Sequence, residues 1–186
     1  HSLNKMGISE LSSSSFGQTF QVTPIQIITA VSAIANGGKL MQPYVVSSML
    51  DGDGNVMKKT EPIVKRQVIS EKTASIVSNM MEQVVSVGTG KNAYVAGYHV
   101  AGKTGTSEKI GHEGAYIASF AGFAPADDPQ IAILVAIDEP TGAHGGGAVA
   151  APIAGDILEK VLTYLNVEPR YDDKEMANVS SVAPSL

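Results

Sequence analysis

The sequence predicts an α+β fold in which an antiparallel sheet is packed with helices. Three observations carry that expectation. Apolar residues recur at helical spacing in three separate segments. Between them, residues 98–138 hold three strand-like runs whose simplest arrangement is an antiparallel meander. The chain has 186 residues, 44% of them hydrophobic and 17% charged, which suffices to bury one sizeable core.

Taken in order, the opening HSLNKMGISELSSSSF shows no sustained period and includes a run of four serines, so a loop is expected. In TPIQIITAVSAIANGG, Thr23 suits an N-cap, Pro24 the first helical position and Gln26 the partner in a capping box. Ile27, Val31, Ile34 and Ala35 share a face, and Asn36-Gly37-Gly38 supplies a stop, which predicts a helix over 24–36. LMQPYVVSSML and VMKK read as two strands joined by the DGDGN turn, with Pro43 favouring an edge position. A second helix is expected after Ser70, burying Ile76, Val77, Met80, Met81, Val84 and Val85 and ending at Gly88. Its methionines read as core filling.

The sheet follows: YHVAGKTGT, IASFAGFA and QIAILVAID as strands, with the PADDP turn between the last two. Residues 131–137 are continuously apolar, as a strand covered on both faces requires, and Asp138 and Glu139 read as its solvated end. Pro152 is expected to open a last helix with an apolar stripe of Ile153, Ile157, Leu158, Val161, Leu162 and Leu165. From residue 166 to 186 the chain is polar and aperiodic, a tail or linker.

Composition excludes several function classes. A net charge of −5, with four Phe, six Tyr and no Trp, offers neither a basic field nor stacking platforms, so no nucleic-acid partner is expected. No apolar run approaches the ~20 residues that span a bilayer, and no signal-peptide pattern opens the chain, so any anchor or export signal is expected outside it. Without Cys there is no disulfide, zinc-thiolate site or thiol nucleophile. His1, His99, His112 and His144 lack metal-ligand spacing such as HExxH, so neither metal nor cofactor is expected.

One stretch, GYHVAGKTGTSEK at 97–109, carries two incompatible motifs. Residues 97–104 satisfy GxxxxGKT, the phosphate-binding loop of nucleotide hydrolases, and IAILVAIDE downstream imitates their magnesium-holding strand. Residues 103–106 spell KTGT, a substrate-strand motif of penicillin-recognising serine enzymes. A phosphate loop needs a buried strand before its first Gly and a helix opening at its Lys-Thr end. Here GTGKNAYVA precedes Gly97, and Gly105, Gly111 and Gly114 weaken any helix after Thr104. These features count against the nucleotide reading, and a P-loop-type nucleotide hydrolase is kept only as an alternative function. His144-Gly145-Gly146-Gly147 likewise imitates the oxyanion loop of lipases, but the chain has no GxSxG nucleophile elbow, and a flexible loop is expected there.

FGQTFQVTPIQIITAVSAIANGG, GTGKNAYVAGYHVAGKTGTSE, ASFAGFAPADDPQIAILVAIDEP and GGGAVAAPIAGDIL stand in that order. Together they make the chain resemble the C-terminal part of the transpeptidase domain of class B penicillin-binding proteins. Thr19 is one small departure, where relatives often have Gly. The resemblance implies part of the penicillin-binding serine transpeptidase fold over 1–165, placed at the extracytoplasmic face of a bacterial membrane by an anchor outside the chain. It also implies peptidoglycan cross-linking: a serine attacks the penultimate D-alanine of a D-Ala-D-Ala stem peptide, terminal D-alanine leaves, and an amine from a neighbouring strand resolves the acyl-enzyme. β-Lactams imitate that peptide end and trap the serine.

Within that reading, strand alternation sends Lys103 and Gly105 to one side and Thr104 and Thr106 to the other. Gly105 lets a substrate backbone approach and pair as an added strand. The Thr104 and Thr106 hydroxyls donate to the terminal carboxylate, and Lys103 adds positive potential. By family analogy the Thr106 backbone N–H is one oxyanion donor.

The family also needs Ser-x-x-Lys and Ser-x-Asn well upstream of the FGQ segment. Ser2-Leu3-Asn4-Lys5 matches the first as text but lies too close to FGQ to serve. The nucleophile is expected outside the chain, leaving the isolated chain inactive and in need of the N-terminal part of its own domain. Family members place residues 131–137 inside a five-stranded sheet, so an exposed strand edge and self-association are expected here. A noncatalytic peptidoglycan-binding or scaffolding module is the alternative function.

Overall fold

The computed structural model describes residues 6–15, 17, 21–109, 111–172 and 175–176. Thr19 and Ser2-Leu3-Asn4-Lys5 lie outside the described residues. The elements run α1 (Ile8–Ser14), α2 (Pro24–Ala35), β1 (Lys39–Met41), β2 (Ser48–Leu50), β3 (Val56–Lys59), β4 (Val64–Gln67), α3 (Glu71–Ser86), a 3-10 turn (Lys91–Ala93), β5 (Ala101–Glu108), β6 (Tyr116–Ala124), β7 (Ile131–Asp138) and α4 (Gly146–Tyr164). The expected α+β architecture forms.

Its centre is the antiparallel meander β5-β6-β7. Register pairs Thr104 with Phe120 and Thr106 with Ala118, and pairs Phe120 in turn with Val135. Even-numbered residues of β5 and β6 and odd-numbered ones of β7 therefore share one face. Against it α4 lays Ala150, Ala151, Ala154, Leu158 and Leu162, all fully buried with Phe120. The opposite face sets Ala101, Phe123 and Ala132 against Val31, Ile34 and Ala35 of α2 and Val77 and Met81 of α3. The sheet is thus a layer between helices, the arrangement that buries both of its apolar faces.

The capping signals operate as read. The Thr23 hydroxyl accepts from the Gln26 N–H, and the Gln26 carboxamide oxygen accepts from the Thr23 N–H at 2.8 Å. Ser70 caps α3 by accepting from the Thr73 N–H at 3.1 Å.

Several expectations are corrected. Residues 8–14, expected as loop, form α1, whose Glu10 carboxylate accepts from the Gly7 N–H. It buries no residue and so leaves no apolar period to detect. The single strand expected around Pro43 is two: β1 pairs with β4, and β2 with β3. Proline has no N–H for the ladder, so pairing breaks there. β4 was not expected, because VKRQ is short, polar and exposed throughout.

In α3, Ile76 is 45% and Met80 62% exposed, and the buried face runs through Ala74, Ser78, Met81 and Val85. α4 begins at Gly146, not at Pro152, which lies inside it. Ile153, Ile157 and Leu165 are exposed, and alanines form much of the seam. Residues 131–137 touch both layers but are only partly covered, and β7 pairs with β6 alone among the described strands.

Candidate functional site

The Lys103-Thr104-Gly105-Thr106 run occupies the middle of β5, an edge strand that among the described strands pairs with β6 alone. One edge of its backbone is therefore open to another extended chain. The strand exists because Ala101 at its start is buried and Gly102 sits over Phe120. A Cβ at residue 102 would lie 2.1 Å from Phe120 Cζ, so only glycine allows the aromatic ring to fill the core beneath.

The alternation expected along the strand is present. Thr104 and Thr106 face the α4 side. The Thr104 hydroxyl lies 3.1 Å from that of Thr89, and Thr106 Oγ1 accepts from the Gly146 N–H at 3.1 Å. An acceptor role toward Gly146 leaves the Thr106 O–H proton free to donate outward. Lys103 and Gly105 lie on the other side. Lys103 Nζ is exposed and donates to the Thr104 carbonyl at 2.7 Å. A Cβ at Gly105 would stand 2.5 Å from Ser119 Oγ, so packing on β6 restricts this position apart from any ligand.

The start of α4 closes the site. A Cβ on Gly146 would come within 2.3 Å of both the Gly105 and Ser119 carbonyl oxygens, and one on Gly147 within 2.4 Å of the Thr89 carbonyl. These glycines, expected as a flexible loop, instead let a 19-residue helix drive its first turn against β5. Its first amide donates to the Thr106 hydroxyl, and the N-terminal end of the helix brings positive potential there. Asn92 Nδ2 donates to the Gly147 carbonyl at 2.8 Å and ties the 3-10 turn to the same place. At the outer end of the strand the Tyr116 and His144 rings stack with centroids 4.2 Å apart.

Sequence reasoning named the four strand residues but missed Thr89, Asn92 and Gly146 as their supports. Thr89 and Asn92 lie in a short polar link without periodicity, and only the tertiary approach of α4 reveals them.

The competing phosphate-loop reading fails on geometry as well. Lys103 and Thr104 lie mid-strand with no helix following, and the Gly97 N–H donates to the Glu175 carboxylate at 2.9 Å. Asp138 and Glu139, the mimic of a magnesium strand, pair with Lys109 at 3.0 and 2.7 Å. These two acceptors, Glu139 before Asp138, raise the Lys109 pKa.

Known proteins share this chain's sequence pattern and fold. A family model described as the penicillin binding protein transpeptidase domain matches residues 2–159. Stage V sporulation protein D of Bacillus subtilis is 46% identical over 179 residues, covering 93% of this chain and 28% of the relative. Peptidoglycan D,D-transpeptidase FtsI of Escherichia coli is 36% identical over 161 residues, covering 83% of this chain and 26% of the relative. The structure of penicillin binding protein 3 from Mycobacterium tuberculosis complexed with ampicillin superposes with a TM-score of 0.79 at 30% identity, covering 91% of this chain and 41% of that one. The chain thus spans under a third of the length of these curated relatives.

Proposed function

The chain belongs to the penicillin-binding protein transpeptidase family, and from that membership we propose that it forms the C-terminal wall of an active site that cross-links peptidoglycan stem peptides. The observation that carries this reading is KTGT on an open strand edge, with both threonine hydroxyls held from behind by Thr89 and Gly146. A stem peptide ending in D-Ala-D-Ala lies along β5 as an added strand. Thr104 and Thr106 donate to its terminal carboxylate, and Lys103 and the start of α4 supply positive potential.

A serine from the N-terminal part of the same domain, outside this chain, attacks the penultimate carbonyl. The carbonyl oxygen gains the negative charge and is met by the Thr106 backbone N–H. Collapse expels terminal D-alanine with a proton on its nitrogen. An amine from a second strand then displaces the serine, which recovers its proton. β-Lactams enter by the same carboxylate grip.

Residues 1–165 belong to the domain in this reading, and 166–186 lead out of it. An anchor outside the chain holds the enzyme at the extracytoplasmic membrane face; among the described residues no helix is long and apolar enough to cross a membrane. Ile153 and Ile157 on α4 and the free edge of β7 are exposed apolar features that the rest of the domain covers. The test is the full-length parent incubated with a D-Ala-D-Ala stem peptide and with labelled penicillin. Release of D-alanine and a covalent serine adduct are expected. Reversible peptidoglycan binding with neither outcome would make the protein a noncatalytic module.

A further inference from the structure

At the end of β5 opposite Glu108, the chain that follows α4 returns and grips the loop leading into the strand. Asn166 turns it with φ +56, Val167 packs into the core, and the Arg170 N–H donates to the Gly97 carbonyl at 2.7 Å. The Arg170 guanidinium binds both Asp127 oxygens, at 2.6 and 2.7 Å, in the turn between β6 and β7. The Glu175 carboxylate accepts from the Gly97 N–H, the Asp172 N–H and the Tyr94 hydroxyl. The gripped loop holds left-handed backbone at Gly97 and, unusually for a side-chain-bearing residue, at His99. One residue separates His99 from β5.

His99 is the point where these contacts meet. Its Nδ1 lies 2.9 Å from Glu82 Oε1 of α3, and its Nε2 lies 3.0 Å from the Arg170 carbonyl. Both partners are acceptors only, so both ring nitrogens must carry protons for both bonds to form. A neutral ring leaves one lone pair facing an oxygen. Around the ring stand Glu82 from α3, Asp127 from the β6–β7 turn, and Arg170 and Glu175 from the returning segment, with Tyr94 donating to Glu175, a set in which acids outnumber bases. Partial burial lowers the His99 pKa, but the Glu82 hydrogen bond, the Arg170 carbonyl and the charges of Glu82 and Glu175 outweigh it and raise the value.

We propose that residues 167–172, together with Glu175, are a strap that holds the entry to β5 through protonated His99, making His99 and Arg170 positioning residues for the KTGT strand. The inference rests on the reading of β5 as the substrate strand. Because the folded-state pKa of His99 is raised, the strap is fully held below the ordinary histidine value of ~6.5 and loosens as pH rises through the raised one.

The experiment uses the full-length transpeptidase. Amide hydrogen exchange at 100–103, corrected for intrinsic rates, and the rate of acylation by labelled penicillin are measured across pH 6–9 in wild type, His99→Gln, Glu82→Gln and Arg170→Ala. In wild type, exchange is expected to rise about tenfold over that range, the equivalent of losing one charge-assisted bond, with acylation slowing in parallel. His99→Gln and Glu82→Gln should abolish that pH dependence, and Arg170→Ala should raise exchange at every pH. The Asp127→Arg, Arg170→Asp pair should restore protection. A wild-type pH profile in both the His99 and Glu82 variants would overturn the strap. Loss of protection without any change in acylation would overturn the positioning role. If Thr106→Val also leaves acylation unchanged while exchange behaves as expected, the substrate-strand reading fails and the strap itself stands.

Discussion

Thr106 serves two neighbours at once: its oxygen accepts from the Gly146 N–H, and its proton is left for whatever lies along the strand. In the full-length enzyme Thr106→Val keeps the backbone amide and the β-branched shape but loses the hydroxyl. Acylation by labelled penicillin is expected to slow by roughly 10- to 100-fold, the value of one hydrogen bond to a carboxylate. Lys103→Ala should slow it further, since it removes potential as well as a donor, and stopped-flow measurement of both variants decides the matter. Unchanged rates in both would make KTGT a purely structural strand. Gly146→Ala is a different kind of change. Its methyl meets two carbonyl oxygens that belong to backbone and cannot rotate away, so a loss of about 1–3 kcal/mol is expected in thermal unfolding. At this scale the sequence was informative where a residue type has one use: the capping pair Thr23 and Gln26, and the KTGT run. It was silent on Thr89 and Gly146, whose roles arise from approaches across 15 and 40 positions of chain.

Elements were legible in existence more than in orientation. α2, α3 and the three strands of the meander lie within a few residues of where periodicity and caps put them. The faces of α3 and α4 were misjudged because both helices carry apolar residues on more than one side, and only the neighbour decides which side is buried. Small residues win on α4: Ala150, Ala151, Ala154 and Gly155 let the helix lie close to the sheet and the 3-10 turn, and larger Ile153 and Ile157 point away. Leu158 is fully buried, whereas adjacent Ile157 is 40% exposed. Leu158→Ala is expected to cost about 2–5 kcal/mol by the transfer and cavity terms, and Ile157→Ala under about 1 kcal/mol, when this chain is unfolded in urea. Equal costs would mean that the helix is rotated from the described orientation. β4 escaped notice for a related reason. Its pairing with β1 gives four exposed residues no alternation to display.

At the scale of the molecule, the proposed function makes this chain one wall of an active site, a gripping strand and its supports, and looks to the rest of the domain for the nucleophile. The 186-residue chain alone is therefore expected to take no covalent label from a β-lactam, and intact-mass detection of a stoichiometric adduct would falsify that expectation. β7, apolar over 131–137 and unpaired on one edge among the described strands, should drive self-association that light scattering detects across a concentration series. Leu134→Lys should reduce it. A monomer at every concentration would mean that the edge is covered.

The meander also offers an extended peptide two parking places, and their furnishings differ. Beside β5 a visitor meets ammonium, hydroxyls and a bare glycine, groups that favour a charged chain end. Beside β7 it meets isoleucine, leucine and valine, which reward staying. Peptide capture and clumping would thus draw on the same backbone vocabulary, with side-chain polarity separating them. Any remedy for poor solubility that adds charge belongs on β7, because the same substitution on β5 would alter the strand proposed to hold substrate.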